Sequence, residues 1–156
     1  MPGIEIRPAT AEDVPDLVGT SAALFAEDGA ARDRLRDPRW PRRHGAAWLS
    51  GLITNPNALV LVAVAEGDVA GHLVGLFTAP SEMWRGAQAE LVSMYVVRDL
   101  RNRGVGSGLV ARFTAWARER GATRARVTAY AANEAAVRFY RRHGYTPLSV
   151  VLATDL

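Results

Sequence analysis

The stretch Arg101-Asn102-Arg103-Gly104-Val105-Gly106-Ser107-Gly108 follows an apolar segment ending in Met94-Tyr95-Val96-Val97 and leads into a helical pattern that begins near Val105. A glycine-rich turn between a strand and a helix is suited to holding phosphate. Glycine lets the main chain approach a diphosphate with no Cβ in the way, and the unpaired N–H groups of the first helical turn face the anion with the positive end of the helix dipole behind them. Arg101 and Arg103 add positive charge. A nucleotide P-loop needs a lysine, and this chain contains none. A Rossmann turn needs G-x-G-x-x-G in the first βα unit, whereas here G-x-G-x-G lies well past the middle of the chain.

Further on, Asn133-Glu134-Ala135-Ala136-Val137-Arg138-Phe139-Tyr140-Arg141-Arg142-His143-Gly144-Tyr145 reads as a helix with glycine at its end. With both stretches in hand, the chain resembles the GNAT superfamily of acetyl-CoA-dependent N-acetyltransferases. Arg101, Gly104 and Gly106 meet the family's pattern Gln/Arg-x-x-Gly-x-Gly/Ala after a strand. Asn133, Ala136, Tyr140 and Tyr145 meet its later pattern of Asn-x-x-Ala-x-x-x-Tyr followed by an aromatic after glycine. The sharp motifs span about Glu90 to Tyr145.

Bulk properties bound the rest. A chain of 156 residues is expected to form one domain, residues 1–156, with a substantial core. No apolar run is long enough to cross a membrane and the amino terminus lacks a signal-peptide layout, so a cytoplasmic protein is expected. The absence of cysteine excludes disulfides, thiolate metal sites and an acyl-cysteine intermediate. His44, His72 and His143 lie far apart in sequence, and no metal site is expected.

Charge is divided unevenly. Residues 1–97 carry 8 arginines against 12 acids, while residues 98–156 carry 11 arginines against 4 acids. A basic half suits a polyanionic ligand such as coenzyme A, and an acidic half suits a cationic amine. Nucleic acid is not expected, because no basic face interleaved with aromatics accompanies the arginine excess.

Periodicity predicts the elements. Ile4–Arg7 alternates like a strand, and Thr10-Ala11-Glu12-Asp13 starts a helix in the manner of a capping box, with apolar spacing to Phe25. Residues 27–40 read as a loop or short helix, and a second helix begins at Pro41 and ends at Asn55-Pro56-Asn57. Strands are predicted over Leu59–Ala65, Val69–Thr78, Ala89–Val97, Arg124–Ala129 and Pro147–Ala153, with a turn at Glu66-Gly67-Asp68. The order is therefore βααβββαβαβ, an α/β (α+β) chain. Resemblance to the family implies the arrangement: a mixed central sheet flanked by helices, with the strands on either side of the cradle helix splayed apart to admit the cofactor's pantetheine arm.

The resemblance also implies chemistry. Acetyl-CoA would be the co-substrate, with Met94, Tyr95, Val96, Arg101, Asn102, Arg103, Gly104, Val105, Gly106, Ser107 and Asn133 as its binding residues. The backbone at Tyr95 and Val96 would hold the thioester carbonyl, and Asn133 would offer its amide to the pantetheine. Tyr140 is the expected general acid for the departing thiolate. Glu90 is the candidate base, placed by strand alternation on a face with Val92, Met94 and Val96. Several branches of the family carry that carboxylate where this chain has Val92; Glu82, His72 and Tyr130 are reserves. The segments Phe25–Trp40 and Pro80–Ala87 would line the acceptor side, with Glu27, Asp28, Asp33 and Glu82 suited to a cation, and Trp40 and Trp84 to an apolar part. Direct transfer to a primary amine, on a small amine, an amino acid derivative, an antibiotic or a peptide amino terminus, in a ternary complex is the expected function. The alternative is a non-catalytic acyl-CoA sensor on the same fold. A homodimer is expected from the family's habit of pairing last strands.

Overall fold

The computed structural model describes residues 3–156, and its centre is a five-stranded sheet in the order β1-β2-β3-β4-β5. The strands are β1 (Ile4–Pro8), β2 (Ala58–Ala65), β3 (Asp68–Thr78), β4 (Gln88–Val96) and β5 (Arg124–Val127). β1 to β4 are antiparallel neighbours, and β5 joins β4 in parallel. Ala65 pairs with Asp68, so β2 and β3 are joined by the two residues Glu66 and Gly67, both with positive φ. Such a turn follows the strands' right-handed twist and fixes the hairpin register.

Helices cover both faces. On one side α4 (Val105–Glu119) buries Val105, Leu109, Val110, Phe113 and Ala117, a helical stripe that packs on Leu61, Leu73, Ala89 and Leu91. On the other side α1 (Val14–Leu24) and α3 (Ala46–Ile53) bury Leu17, Leu49 and Leu52 against Val60, Val62 and Val74. Residues 27–40, expected as loop or short helix, continue α1 through a π-helical turn, Phe25–Gly29, into the short α2 (Ala30–Arg32). A second π turn, Pro41–Gly45, opens α3. The last helix is α5 (Glu134–Arg142).

Two departures from expectation matter. β4 carries a bulge: Val74 pairs with Ser93 but Gly75 pairs with Leu91, leaving Val92 unopposed. One extra residue reverses the facing of everything before it. Glu90 therefore does not share a face with Met94 and Val96; it lies with Ser93 and Tyr95, toward α1. The second departure is the chain end. Residues 147–153 form no strand, and Val150, Val151 and Leu152 are exposed. The pattern of β-branched residues is right for a strand, but within one copy β5 pairs only with β4.

Candidate active site

Pairing between β4 and β5 stops at Leu91 and Val127, while β4 continues to Val96 with β3 as its partner. Beyond the bulge, the strand exposes one edge. The Val97 N–H donates to the Ala70 carbonyl at 2.8 Å, so antiparallel alternation directs the amides of Val97 and Tyr95 toward β3 and those of Val96 and Met94 away from it, into the gap. This corrects the expectation for Tyr95, whose backbone faces its neighbour strand. The Tyr95 side chain reaches the π turn after α1 and donates from its hydroxyl to Glu27 Oε1 at 3.1 Å.

The glycine-rich turn lies beside this gap: a Cβ on Gly106 would come within 3.9 Å of Met94 Cε. Gly104 caps α4 with φ of +85°, in the left-handed region that glycine occupies without strain. Gly106 lies under α5: a Cβ there would come within 3.3 Å of the Phe139 ring. Neither residue puts a side chain between backbone and ligand, and the open amides of the first α4 turn together with exposed Arg103 fit a diphosphate. Ser107 Oγ meets His143 Nε2 at 3.0 Å, and His143 Nδ1 lies 2.9 Å from the Phe139 carbonyl, so one imidazole ties the cradle to the end of α5.

Arg101 departs from a purely phosphate-facing role. Its Nε donates to the Val96 carbonyl at 2.7 Å, its Nη2 to Glu27 Oε2 at 2.7 Å, and its guanidinium lies 5.2 Å from the Tyr95 ring centroid. Burial opposes ionisation of Glu27, but the bonds from Arg101 and Tyr95 outweigh it and lower its pKa. Asn133 also has prior engagements. Its carbonyl oxygen accepts the Ala136 N–H at 3.1 Å as the cap of α5, and its amide donates to Asp28 Oδ1 at 3.0 Å. Arg32 Nε reaches the same Asp28 oxygen at 2.6 Å.

Tyr140 packs on the edge of the α4-side core, the same border that holds Met94, Val96, Val127 and Phe139. Its ring meets those of Phe139 and Tyr145 edge-on at 5.2 and 5.7 Å. Burial raises the phenol pKa, and Tyr145 and the Asp28 charge raise it further, so the hydroxyl keeps its proton over the whole physiological range. A protonated phenol can serve as an acid, not as a base.

Glu27 and Asp28 converge from the π turn after α1, a feature that sequence periodicity does not reveal because a π turn inserts one residue into a helical stripe. Trp40 stacks on Phe25 at 5.8 Å and meets Trp48 edge-on at 5.7 Å, so it braces this segment. Asp33 accepts the Leu35 N–H, and Glu82 and Trp84 stay exposed in the β3–β4 connection. Among the described residues, no three His, Cys, Asp or Glu side chains could hold a metal ion, and no helix is long and apolar enough to cross a membrane.

The comparisons with known proteins follow the same outline. The model of the Acetyltransferase (GNAT) family matches residues 25–145. The chain belongs to this family. It is 30% identical over 132 residues to an aminoglycoside N(6')-acetyltransferase type 1 of Klebsiella aerogenes, covering 80% of this chain and 87% of that protein. Its fold matches that of a mutant BH1408 protein from Bacillus halodurans, with a TM-score of 0.89 at 16% identity over 97% of this chain and 99% of the other. It also matches the aminoglycoside N-acetyltransferase AAC(6')-Iy in complex with CoA, with a TM-score of 0.78 at 14% identity over 98% and 94% of the two chains. This GNAT member is thus an acetyltransferase by family, with a cradle whose geometry suits the family's acetyl-CoA.

Proposed function

We propose that this GNAT acetyltransferase moves the acetyl group of acetyl-CoA directly to a primary amine of a small cationic acceptor, with both bound at once. The observation that carries the reading is the gap beside β4, where the free amides of Met94 and Val96, the cradle at 104–108 and the half-buried Tyr140 border one another. Acetyl-CoA supplies the activated acyl group, so the chain needs no covalent intermediate of its own. The amides of Gly104 to Ser107, with Arg103, hold the diphosphate, and the gap-facing edge of β4 pairs with the pantetheine. Met94 and Val96 are the donors for the thioester oxygen as negative charge builds there; one such donor is worth about 3 kcal/mol.

Tyr140 gives its proton to the sulfur as the C–S bond breaks. A phenol held above a pKa of about 10 is a weaker acid than a thiol of about 8.5, so proton donation accompanies bond cleavage rather than preceding it. Glu90 lies on the acceptor face of β4 with Ser93 and Tyr95, where it can draw the acceptor's cationic groups or take the amine's proton through water. The Klebsiella relative's name, together with Glu90 on the α1 face of β4, supports an aminoglycoside-like polyamine as acceptor.

We also propose a homodimer, in which a second copy pairs with the residues 147–153 that are unpaired within one chain. Acetyl transfer is tested by incubating the protein and acetyl-CoA with aminoglycosides, diamines, amino acid amides and peptides, followed by mass detection and thiol release. An acetylated amine with matching free thiol is expected. Saturable acetyl-CoA binding without any product would overturn catalysis in favour of a sensor.

A further inference from the structure

Three side chains with no part in the reaction described so far form a continuous hydrogen-bonded chain on the acceptor side of the sheet. Thr20 of α1 is buried, His72 of β3 is wholly buried, and Ser93 of β4 is half-buried. Thr20 Oγ1 lies 2.7 Å from His72 Nδ1, and His72 Nε2 lies 2.7 Å from Ser93 Oγ. An imidazole shut away from water requires a partner at each nitrogen, and these two hydroxyls are those partners.

One proton arrangement leaves Ser93 free to accept from outside. Thr20 has a single hydroxyl proton, and the Leu17 carbonyl at 3.2 Å is an acceptor within its reach. With that proton on Leu17, Thr20 accepts from His72 and the ring proton sits on Nδ1. Burial lowers the pKa of His72 to about 4 and keeps the ring neutral. Nε2 is then a bare acceptor, and Ser93 must donate to it. In this arrangement the Ser93 proton is directed inward, and its half-buried oxygen keeps two lone pairs to accept with.

Ser93 comes directly after the bulge at Val92, on the face it shares with Glu90 and Tyr95. We propose that Ser93 accepts a hydrogen bond from an N–H of the incoming amine, and that His72 and Thr20 are positioning residues that fix the polarity of its hydroxyl. The proposal rests on the acetyl-transfer reading above. An amine that spends an N–H on Ser93 keeps its nitrogen lone pair free to turn toward the thioester, and a hydroxyl of fixed polarity selects that orientation before reaction. His72 itself is no base: against an alkylamine of pKa about 10.4, a ring titrating roughly six units lower is on the order of a million-fold too weak.

Two readouts test this. Nitrogen-15 NMR of histidine-labelled protein should show His72 as the Nδ1–H tautomer with bare Nε2, unchanged as pH falls from about 8 to about 5.5; an Nε2–H tautomer would overturn the proposal. With sisomicin as the acceptor probe, S93A should raise the acceptor KM about tenfold while the acetyl-CoA KM stays within about twofold, and S93T should restore it. T20V should scramble the tautomer and reproduce part of the acceptor effect. An S93A enzyme with unchanged acceptor KM, or with both KM values raised alike, would overturn the proposal. If the wild-type protein acetylates neither sisomicin nor any other amine while His72 shows the expected tautomer, the acetyl-transfer reading fails and takes this proposal with it. A wrong tautomer in an active enzyme removes this proposal alone.

Discussion

The Arg101 guanidinium holds the Glu27 carboxylate at 2.7 Å, joining the cradle to the π turn after α1 across 74 residues of chain. The same arginine occupies the Val96 carbonyl. It thus ties the end of β4 to the π turn after α1. Glu27→Gln should weaken its hold and free Arg101 for the diphosphate. The expected outcome is a severalfold lower KM for acetyl-CoA and an acceptor KM raised about tenfold, since one charge-assisted bond is worth about 1.5–3 kcal/mol. Steady-state kinetics with each substrate varied in turn would check both directions.

Tyr140→Phe removes the proposed acid and little else. Turnover should fall about a hundredfold, with acetyl-CoA affinity by calorimetry nearly unchanged. Burial, Tyr145 and Asp28 all raise the Tyr140 pKa, so the wild-type pH–rate profile should show no fall from phenol ionisation below about pH 10. A descending limb near neutrality that vanishes in the Phe variant would contradict the assignment.

Gly104→Ala tests the cradle through its backbone. With φ of +85°, a Cβ at this position costs about 1–2 kcal/mol and presses the turn to rearrange. Thermal denaturation should show a modest fall in Tm without ligand, and the stabilisation by coenzyme A should be lost. Retention of the full ligand-induced shift would place the diphosphate elsewhere.

Arg7 and Asp13 supply a stability prediction independent of activity. Two Arg7 nitrogens donate to the buried Asp13 carboxylate at 2.8 and 3.0 Å, the Thr10 N–H adds a bond at 2.7 Å, and against the cost of burial the pKa is lowered from 3.8 to about 2. A depressed carboxylate stabilises the fold above its unfolded pKa and loses that contribution as pH falls through the folded value. The pair should contribute about 2 kcal/mol at pH 7 that disappears between about pH 4 and pH 2. Asp13→Asn should remove it at neutral pH and flatten the urea stability profile across that window.

The chain end provides a prediction about assembly. Val151, exposed in one copy, should become covered in the proposed dimer. Val151→Lys should shift the protein toward monomer in sedimentation velocity while leaving the secondary structure by circular dichroism unchanged. A wild-type protein that sediments as a monomer would count against the dimer.

Local patterns made much of this molecule legible. Glycines 104 and 106, the apolar stripe of α4 and the β2–β3 turn are dictated by neighbours a few residues away, and each formed where expected. The family's sheet order needed the resemblance, because periodicity reports which face is buried and not against what. The misplacement of Glu90 arose from a single bulged residue: alternation counts by two, and Val92 breaks the count without any compositional mark. Asn133 was legible as a polar residue at a helix start, but its bond to Asp28 joins points 105 residues apart and has no local signal. The partners of His72 were hidden for the same reason. The expected last strand did not form: residues 147–153 carry the β-branched pattern of a strand, but a pattern does not specify a pairing partner.

The bond from Asn133 to Asp28 has a mechanical outcome. Asn133 caps the helix that carries Tyr140, and Asp28 belongs to the π turn after α1, so one hydrogen bond couples the two segments. In the proposed reaction, an amine that pushes this turn aside should also draw Tyr140 out of line. Poor guests should then be rejected by slow turnover even when they bind well.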